Sequence, residues 1–468
     1  NLIDQNGKIF YTAENYERGF EEMSRFWITG SIPTQPAIFF RRKLLDEYGY
    51  LDISLKYAMD YDLWMRFAKN NRFYHIEKIL ANYLFHENSK GGIRQDWNKF
   101  LPDCKKVFKN HVLSQRPPEV SVVIACYNQA VFLPEAVESV INQIYQDFEI
   151  IIVNDGSTDD TQQTAEMLAQ KYQDNIIKII NQKNMGVSAA RNAGIKASMG
   201  KYILPLDADD MLHPDMLLRT TGLFDTHPEI GISYTDVQKF GKLEEYWQSW
   251  HWDINRLYFQ NILPYCSLYR REVWEAAGGY KERIIFGYED WDFWISCAEK
   301  GITGKRIPEN LLIYRTKETS RDTEAIKSHD KLFAHIVLNH PSLYKSDIIA
   351  WAKALTGFPE DSSLLKDKKA ASITTGEYIK PMNILLCVHS FPTQRMAGTE
   401  LYVYHLAREL INKGHKIKVL YPVYENNSEY INIKEDSFED ITLVQMYLKP
   451  CSNIIEHFKN EKASNAFN

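Results

Sequence analysis

The stretch Tyr202-Ile203-Leu204-Pro205-Leu206-Asp207-Ala208-Asp209-Asp210 decides how this chain is read. A run of apolar residues reads as a buried strand, and three carboxylates in four residues follow at its end. Carboxylates this close repel one another unless positive charge sits among them. A hard divalent cation, Mg²⁺ or Mn²⁺, is one solution, because such ions take oxygen ligands. The other is a solvated acidic turn that caps the next helix from its N-terminal side. On these residues alone both readings stand.

Upstream the pattern is regular. Val122-Val123-Ile124-Ala125-Cys126 is a continuous apolar run, as expected of a buried parallel strand. Pro134 opens a helix with Ala136, Val137, Val140, Ile141 and Ile144 on one face. Phe148 to Val153 is a second strand, and a helix follows Asp159 with Ala165, Leu168 and Tyr172 on one side. Ile176 to Ile180 is a third strand, Val187 to Ser198 a helix, and Tyr202 to Leu206 a fourth strand. Alternating strands and helices predict an α/β fold with a mostly parallel, Rossmann-like sheet and ligands at the carboxyl ends of its strands. Three polar clusters fall at those ends: Ala125-Cys126-Tyr127-Asn128, Asn154-Asp155-Gly156-Ser157-Thr158-Asp159 and the acidic run. Singly each is a turn signal; together they mark a crevice. No Gly-x-Gly-x-x-Gly follows the first strand and no P-loop is present, which argues against a dinucleotide-dependent dehydrogenase and a P-loop NTPase.

The ordered set resembles the family 2 glycosyltransferases of the GT-A fold. It comprises Val122 to Asn128, Asn154 to Asp159, Asn184-Met185-Gly186-Val187-Ser188-Ala189-Ala190-Arg191-Asn192-Ala193-Gly194 and Leu206 to Asp210, within a match running from Val120 to roughly His340. The resemblance implies a nucleotide-sugar donor, a divalent cation (Mg or Mn) and inversion at the anomeric carbon. Carried over, Ala125 and Tyr127 flank the base and Asp155 accepts its imide N–H, which points to a UDP- or dTDP-linked donor. Arg191 lies near the diphosphate, Asp207 faces the donor sugar and ribose, and Asp209 ligates the metal. The residue types suit these tasks, since an aromatic offers a stacking face and a carboxylate reads an N–H. Read by itself, Arg191 is better taken as a surface ion pair.

Residues 213 to 285 are less regular and rich in aromatics, including Trp247, Trp250, Trp252, Tyr258, Phe259, Tyr265 and Tyr269, most of them read as core. Next comes Phe286-Gly287-Tyr288-Glu289-Asp290-Trp291-Asp292-Phe293-Trp294. The resemblance makes Asp290 the catalytic base with Trp294 packed beneath; the alternative is an acid-rich helix start. The family's His after the closing Tyr-Arg is here Lys317, which puts the metal's last protein ligand in doubt.

The chain also repeats itself. Asp60-Tyr61-Asp62-Leu63-Trp64 mirrors Asp290-Trp291-Asp292-Phe293-Trp294, and Arg41-Arg42 with Gly49 mirrors Arg270-Arg271 with Gly278 at an offset one residue shorter. His86 stands where the second copy has Lys317, and Met59 where it has Glu289. Residues 1–112 therefore read as the truncated acceptor-side half of a second GT-A-like domain. They precede a short linker around Pro117-Pro118 and a complete domain over 118–340. Residues 341–381 read as a connector with some helix. Over 382–468, a strand from Met382, a helix opened by Gly398-Thr399-Glu400 and a strand over Ile417 to Tyr421 resemble the start of a family 4, GT-B glycosyltransferase, too short to hold a donor. The chain starts at Asn1, mid-pattern, and is expected to be a fragment of something longer.

Composition is that of a globular protein: 44% apolar, 25% charged, net charge -6 over 468 residues. It carries no basic footprint for nucleic acid. No apolar run is long enough to span a bilayer. The six cysteines show no paired spacing and suit a reducing compartment. The expected function is metal-dependent, inverting sugar transfer to a hydroxyl of a glycan or lipid-linked acceptor in polysaccharide synthesis. The expected location is cytoplasmic, with peripheral association at the inner face of a membrane. The rivals are a catalytically weak nucleotide-sugar-binding or scaffolding module and a nucleotidyltransferase, which would need a Gly-rich basic loop absent here.

Overall fold

The computed structural model describes residues 1–12, 17–28, 32–33, 35–84, 97–173, 175–283, 287–318, 325, 327–356, 383–387, 407, 411, 416–424, 432–438 and 441–448. They belong to two units, Asn1–Glu360 and Asp361–Asn468.

The first unit opens on a small sheet of β1 (Leu2–Ile3), β2 (Ile9–Tyr11) and β3 (Tyr83–Leu84). In it β1 is antiparallel to β2 and parallel to β3. Between β2 and β3 lie α1 (Phe20–Ser24), α2 (Lys43–Tyr48) and α3 (Met59–Ala68), and α4 (Trp97–Phe108) comes after β3. Helical spacing puts Tyr61, Trp64, Met65 and Ala68 of α3 in the core beside Met23, Phe26 and Phe108. This region does not stand apart from the rest of the unit. The Trp27 ring lies 4.9 Å from that of Tyr145, and Lys105 Nζ donates to the Ile141 carbonyl at 2.7 Å. The predicted linker is tied down as well: Arg116 pairs with Asp147 at 2.6 Å.

The larger part is built from β4 (Val120–Cys126), α5 (Leu133–Ile141), β5 (Phe148–Asp155), α6 (Thr161–Lys171), β6 (Ile176–Gln182), α7 (Val187–Ala197) and β7 (Tyr202–Asp207). It continues with β8 (Met211–Leu212), α8 (Met216–Thr226), β9 (Ile232–Gly241), β10 (Glu245–Trp247), α9 (Ile254–Leu257), β11 (Leu268–Arg270), α10 (Arg271–Ala277), α11 (Glu289–Glu299), β12 (Gly304–Thr316), α12 (His329–Asn339) and α13 (Ser346–Thr356). The strands run β6-β5-β4-β7-β11-β9-β12-β8, with β10 also on β9. β6, β5, β4 and β7 are parallel. β11 is antiparallel to both neighbours, so the sheet is mixed.

Why the central runs are continuously apolar is plain from their two faces. Val122 and Ile124 of β4, with Ile150 and Ile152 of β5, pack in one core with α5 and α6. Val123, Ile151 and Val153 pack in a second core with α7 and α11. A strand covered on both sides favours apolar side chains at successive positions, and the buried polar pair Ser121 and Glu149 is satisfied across β4 and β5 by a 2.6 Å hydrogen bond. On the second face α7 lies so close that a Cβ on Gly194 would come 2.4 Å from Val123 Cγ1. The parallel register sets Ala125 beside both Val153 and Asp207, which brings three strand ends to one edge.

Residues 1–112 share local features with the stretch from β9 to α12. The β2-β1-β3 pairing reproduces β10-β9-β12, one antiparallel and one parallel neighbour about a middle strand. α3 matches α11, with Asp60 and Asp290 at corresponding positions near their starts. Asp62 on α3 bonds His111 at 2.7 Å, as Asp292 on α11 bonds His340 at 3.2 Å. His86 lies outside the described residues. The expected connector opens on a 3-10 turn, Pro341–Leu343, followed by α13, which packs beside α12; from residue 357 to 381 it lies outside the described residues.

The second unit is a sheet of β13 (Asn383–Cys387), β14 (Lys416–Tyr424), β15 (Asn432–Phe438) and β16 (Ile441–Leu448), ordered β13-β14-β16-β15. β13, β14 and β16 are parallel and β15 is antiparallel. The two expected strands are neighbours in the parallel sense. The helix predicted from Gly398 falls, apart from residues 407 and 411, outside the described residues.

Candidate active site

The ends of β4, β5 and β7 meet the heads of α7 and α11 and the end of β12 around a cavity of about 730 Å³. Ala125, Tyr127, Asp155, Arg191, Asp207, Asp209 and Asp290 all line it, and so does Lys317. Residues far apart in sequence share one space because a parallel sheet gathers its strand ends.

The wall at β4 and β5 is built by local polar bonds. Asn128, at φ +53, accepts the Thr158 N–H at 2.7 Å, and its own N–H donates to Ser157 Oγ at 2.9 Å. Tyr127 beside it is 47% exposed, a ring offered to the cavity. Asp155 is buried and already engaged. Its carboxylate accepts from Gln182 Nε2 at 2.7 Å, from the Met185 N–H at 2.9 Å and from the Gly186 N–H at 2.8 Å. It holds the loop that leads into α7 as well as lining the site.

The three acids after β7 do not share one ion. Asp207 Oδ1 accepts from Arg191 at 2.7 Å. Asp209 Oδ2 lies 2.7 Å from Lys317 Nζ. Asp210 turns inward and accepts from the Tyr265 hydroxyl at 2.6 Å and the Arg315 N–H at 2.7 Å. Burial, with Asp209 and Asp207 close by, pushes its carboxyl well above the usual range. Arg315 also donates to the Asp209 carbonyl at 2.8 Å and pairs with Glu135.

This donor set does not fit the divalent cation that the sequence led us to expect on Asp209. The carboxylate already holds an ammonium, which has no lone pair to give a metal. A divalent ion about 4 Å from that ammonium is opposed by roughly 8 kcal/mol at an effective dielectric of about 20. Among the described residues, no group of three His, Cys, Asp or Glu side chains is placed to hold a metal.

Arg191 is no surface ion pair. It is 1% exposed, lies over the rings of Tyr265 and Tyr280 at 5.1 and 5.5 Å, and bridges Asp207 to Glu289, the latter at 3.0 Å. Removing one partner from such a buried pair costs about 3–5 kcal/mol. The bridge joins the acid cluster to α11. That helix begins after Gly287 and Tyr288, both at positive φ, +125 and +65. The left-handed Tyr288 costs on the order of 1–3 kcal/mol. It is held by a 2.9 Å bond between its hydroxyl and His329 Nδ1 and by a ring contact with Trp291. The turn separates two adjacent acids: Glu289 is buried on Arg191, while Asp290 is half-buried and accepts from Asn261 at 2.9 Å. Burial, then the charge of Glu289, pushes the Asp290 carboxyl up to about 7. Trp294, the residue expected to pack beneath Asp290, is buried, and so is Trp291.

Sequence reading missed Asn261, Tyr265 and Trp247, all of which line the cavity. Tyr265 and Trp247 fall in the aromatic stretch read mostly as core, and an isolated Asn carries no signal.

A family profile for Glycosyl transferase family 2 matches residues 121–282. A Rickettsia bellii protein described as an uncharacterized glycosyltransferase is 26% identical over 65% of this chain and 50% of its own. An uncharacterized glycosyltransferase of Methanocaldococcus jannaschii is 31% identical over 47% of this chain and 78% of its own. The hyaluronan synthase of Pasteurella multocida is 27% identical over 62% of this chain and 28% of its own. The chain spans about half the length of the first curated relatives it matches. With the strand-end motifs gathered on one cavity and a relative matched over most of its length, the chain belongs to glycosyl transferase family 2.

Proposed function

We propose that the cavity binds a nucleoside-diphosphate sugar and passes its sugar, with inversion, to an acceptor hydroxyl that Asp290 deprotonates. The observation that carries this reading is the division of the site by Arg191. Asp207 lies on one side with Asp155 and Tyr127, and the Glu289-Asp290 pair on the other. A hydroxyl attacks poorly until a base takes its proton, and that base has to stand opposite the leaving diphosphate. With Glu289 committed to Arg191, Asp290 is the acid left for the task.

On the donor side Tyr127 stacks on the base, over the small Ala125. Asp155 accepts the imide N–H of uracil or thymine on a remaining lone pair, since a carboxylate has about four acceptor sites. Asp207 faces the ribose and donor sugar. Arg191, buried between its carboxylates, sets the position of Asp207 and lends positive charge close to the diphosphate. A divalent cation on Asp209, which the resemblance implies, would first have to displace the Lys317 ammonium.

The relative named a hyaluronan synthase supports polysaccharide or glycan synthesis as the setting, with a glycan or lipid-linked acceptor. Among the described residues no helix is long and apolar enough to cross a membrane; placement at the cytoplasmic face of one belongs to this reading. Residues 118–340 form the GT-A catalytic domain, 1–112 a second acceptor-side half, and 382–468 a GT-B-type segment.

The test is a panel of UDP-, dTDP- and GDP-sugars with the full chain, read by release of nucleoside diphosphate and by calorimetry. One donor is expected to bind and turn over. Binding without turnover assigns the site to a binding module; no binding by any member sinks the donor-site reading.

A further inference from the structure

Among the described residues four cations line the cavity, and three are committed within the protein. Arg191 lies buried between Asp207 and Glu289, Arg315 serves the Asp209 carbonyl and Glu135, and Lys239 pairs with Glu245. Lys317 is placed differently. Its ammonium stands at the cavity wall, 2.7 Å from Asp209 Oδ2 and 4.1 Å from the centre of the Phe132 ring, with 27% of its side chain exposed. An ammonium carries three donor hydrogens, and Asp209 takes one.

The backbone beneath it is fixed. Thr316 Oγ1 donates to the Phe240 carbonyl at 2.8 Å and accepts the Leu243 N–H at 2.8 Å. Gly241, at φ +97, packs so tightly that a Cβ there would lie 2.7 Å from the Thr316 carbonyl oxygen. Asp209 and Phe132 then aim the side chain.

We infer that Lys317 is the cation that grips the donor diphosphate at this site, with Asp209 orienting its ammonium instead of ligating a metal. The inference rests on the donor-site reading above. Lys is a point-charge phosphate binder with rotatable donors on a flexible stem. It brings one positive charge where a divalent ion brings two, so binding depends on directed hydrogen bonds and weakens with salt. Substrate contact occurs without bond making at Lys317.

The experiment is calorimetry of UDP, dTDP and GDP with the full chain, in EDTA and in Mn²⁺. For the wild type, affinity in EDTA is expected within about threefold of that in Mn²⁺ for the preferred nucleotide. Lys317→Met keeps the stem and removes the charge; it should bind at least tenfold more weakly in EDTA, with a flatter salt dependence. Lys317→Arg should stay within about threefold of wild type, which separates lost charge from lost folding. Lys317→His should bind at least tenfold more tightly in Mn²⁺ than in EDTA. Wild-type binding that needs Mn²⁺, or unchanged binding by Lys317→Met in EDTA, overturns the role of Lys317 and leaves the donor site standing. No binding by any of the three nucleotides in either buffer overturns both.

Discussion

At the scale of single residues the site turns on what each carboxylate is bonded to. Asp290→Asn keeps the bond to Asn261 and removes the base, so transfer should fall about 10²–10⁴-fold, the usual worth of a positioned general base. Nucleotide affinity should change less than about twofold, because that pocket lies across Arg191. The pH profile gives an independent check. In the proposed role Asp290 takes a proton only when ionised, and its carboxyl is raised to about 7, so the rate should climb with pH through about 7 and level off above. The raised value also means that ionisation costs stability. That contribution is intact below the ordinary Asp range and lost as pH rises through about 7, and Asp290→Asn should flatten it in melting curves. A near wild-type rate in the variant removes Asp290 from the role of base. Asp155→Ala tests a residue with two duties. It should weaken UDP or dTDP binding by about 1–3 kcal/mol. It should also lower the melting temperature, because the Met185 and Gly186 N–H groups lose their acceptor. Equal binding by both proteins would remove the imide contact. Sequence made the acids legible, since their order and spacing are local. It could not show that Arg191 is buried between Asp207 and Glu289, because those bonds join residues that only the folded sheet brings together.

Elements were legible where burial is complete. β4, β5 and β7 are covered on both faces, so they are mostly apolar and their limits fall within a residue or two of the sequence reading. α5 ends at Ile141, before Ile144, whose N–H turns to the Pro214 carbonyl. β12 was not legible, since Lys305, Arg306, Pro308 and Glu309 interrupt any strand pattern and its bulges against β9 break the alternation. Glycines set the spacing between elements. Gly194 lets α7 lie on β4, and Gly194→Ala would place a methyl 2.4 Å from Val123 Cγ1 and 2.9 Å from Val153 Cγ2. Overpacking of this kind costs about 1–3 kcal/mol. Since α7 carries Arg191, the shift should also reduce nucleotide affinity. Val123→Ala in the same chain should restore much of both. Additive losses in the double variant, measured by denaturant melts, would mean that the two side chains do not meet.

The first unit as a whole includes a large core that the site does not use. The described residues of 1–112 share with the β9-to-α12 stretch a buried Asp-His pair, yet none of them lines the cavity. They are joined to the catalytic part by apolar contact: Trp27 and Phe108 in one cluster with Ile141, Tyr145 and Phe148. Sequence composition suggested a linker at Gln115 to Glu119, but Arg116 and Asp147 bind that segment to the sheet. The donor site and the stability of the unit should therefore separate on truncation. A chain of residues 1–356 should bind nucleotide as the full chain does. A chain of residues 118–356 keeps every cavity residue but exposes the face that Trp27 covers. Each large side chain uncovered costs roughly 1.5–3 kcal/mol. For a domain of this size the melting temperature should fall on the order of 10 °C. At a temperature where both chains are folded, nucleotide affinity should agree within about threefold. Trp27→Ala in the longer chain should reproduce part of the thermal loss, about 3–5 kcal/mol for a buried Trp, without touching affinity. If residues 118–356 melt within about 2 °C of the longer chain, the contact at Tyr145 is incidental. If they stay folded and lose nucleotide binding, residues 1–112 hold the donor site in shape, and the separation of duties between the two halves is wrong.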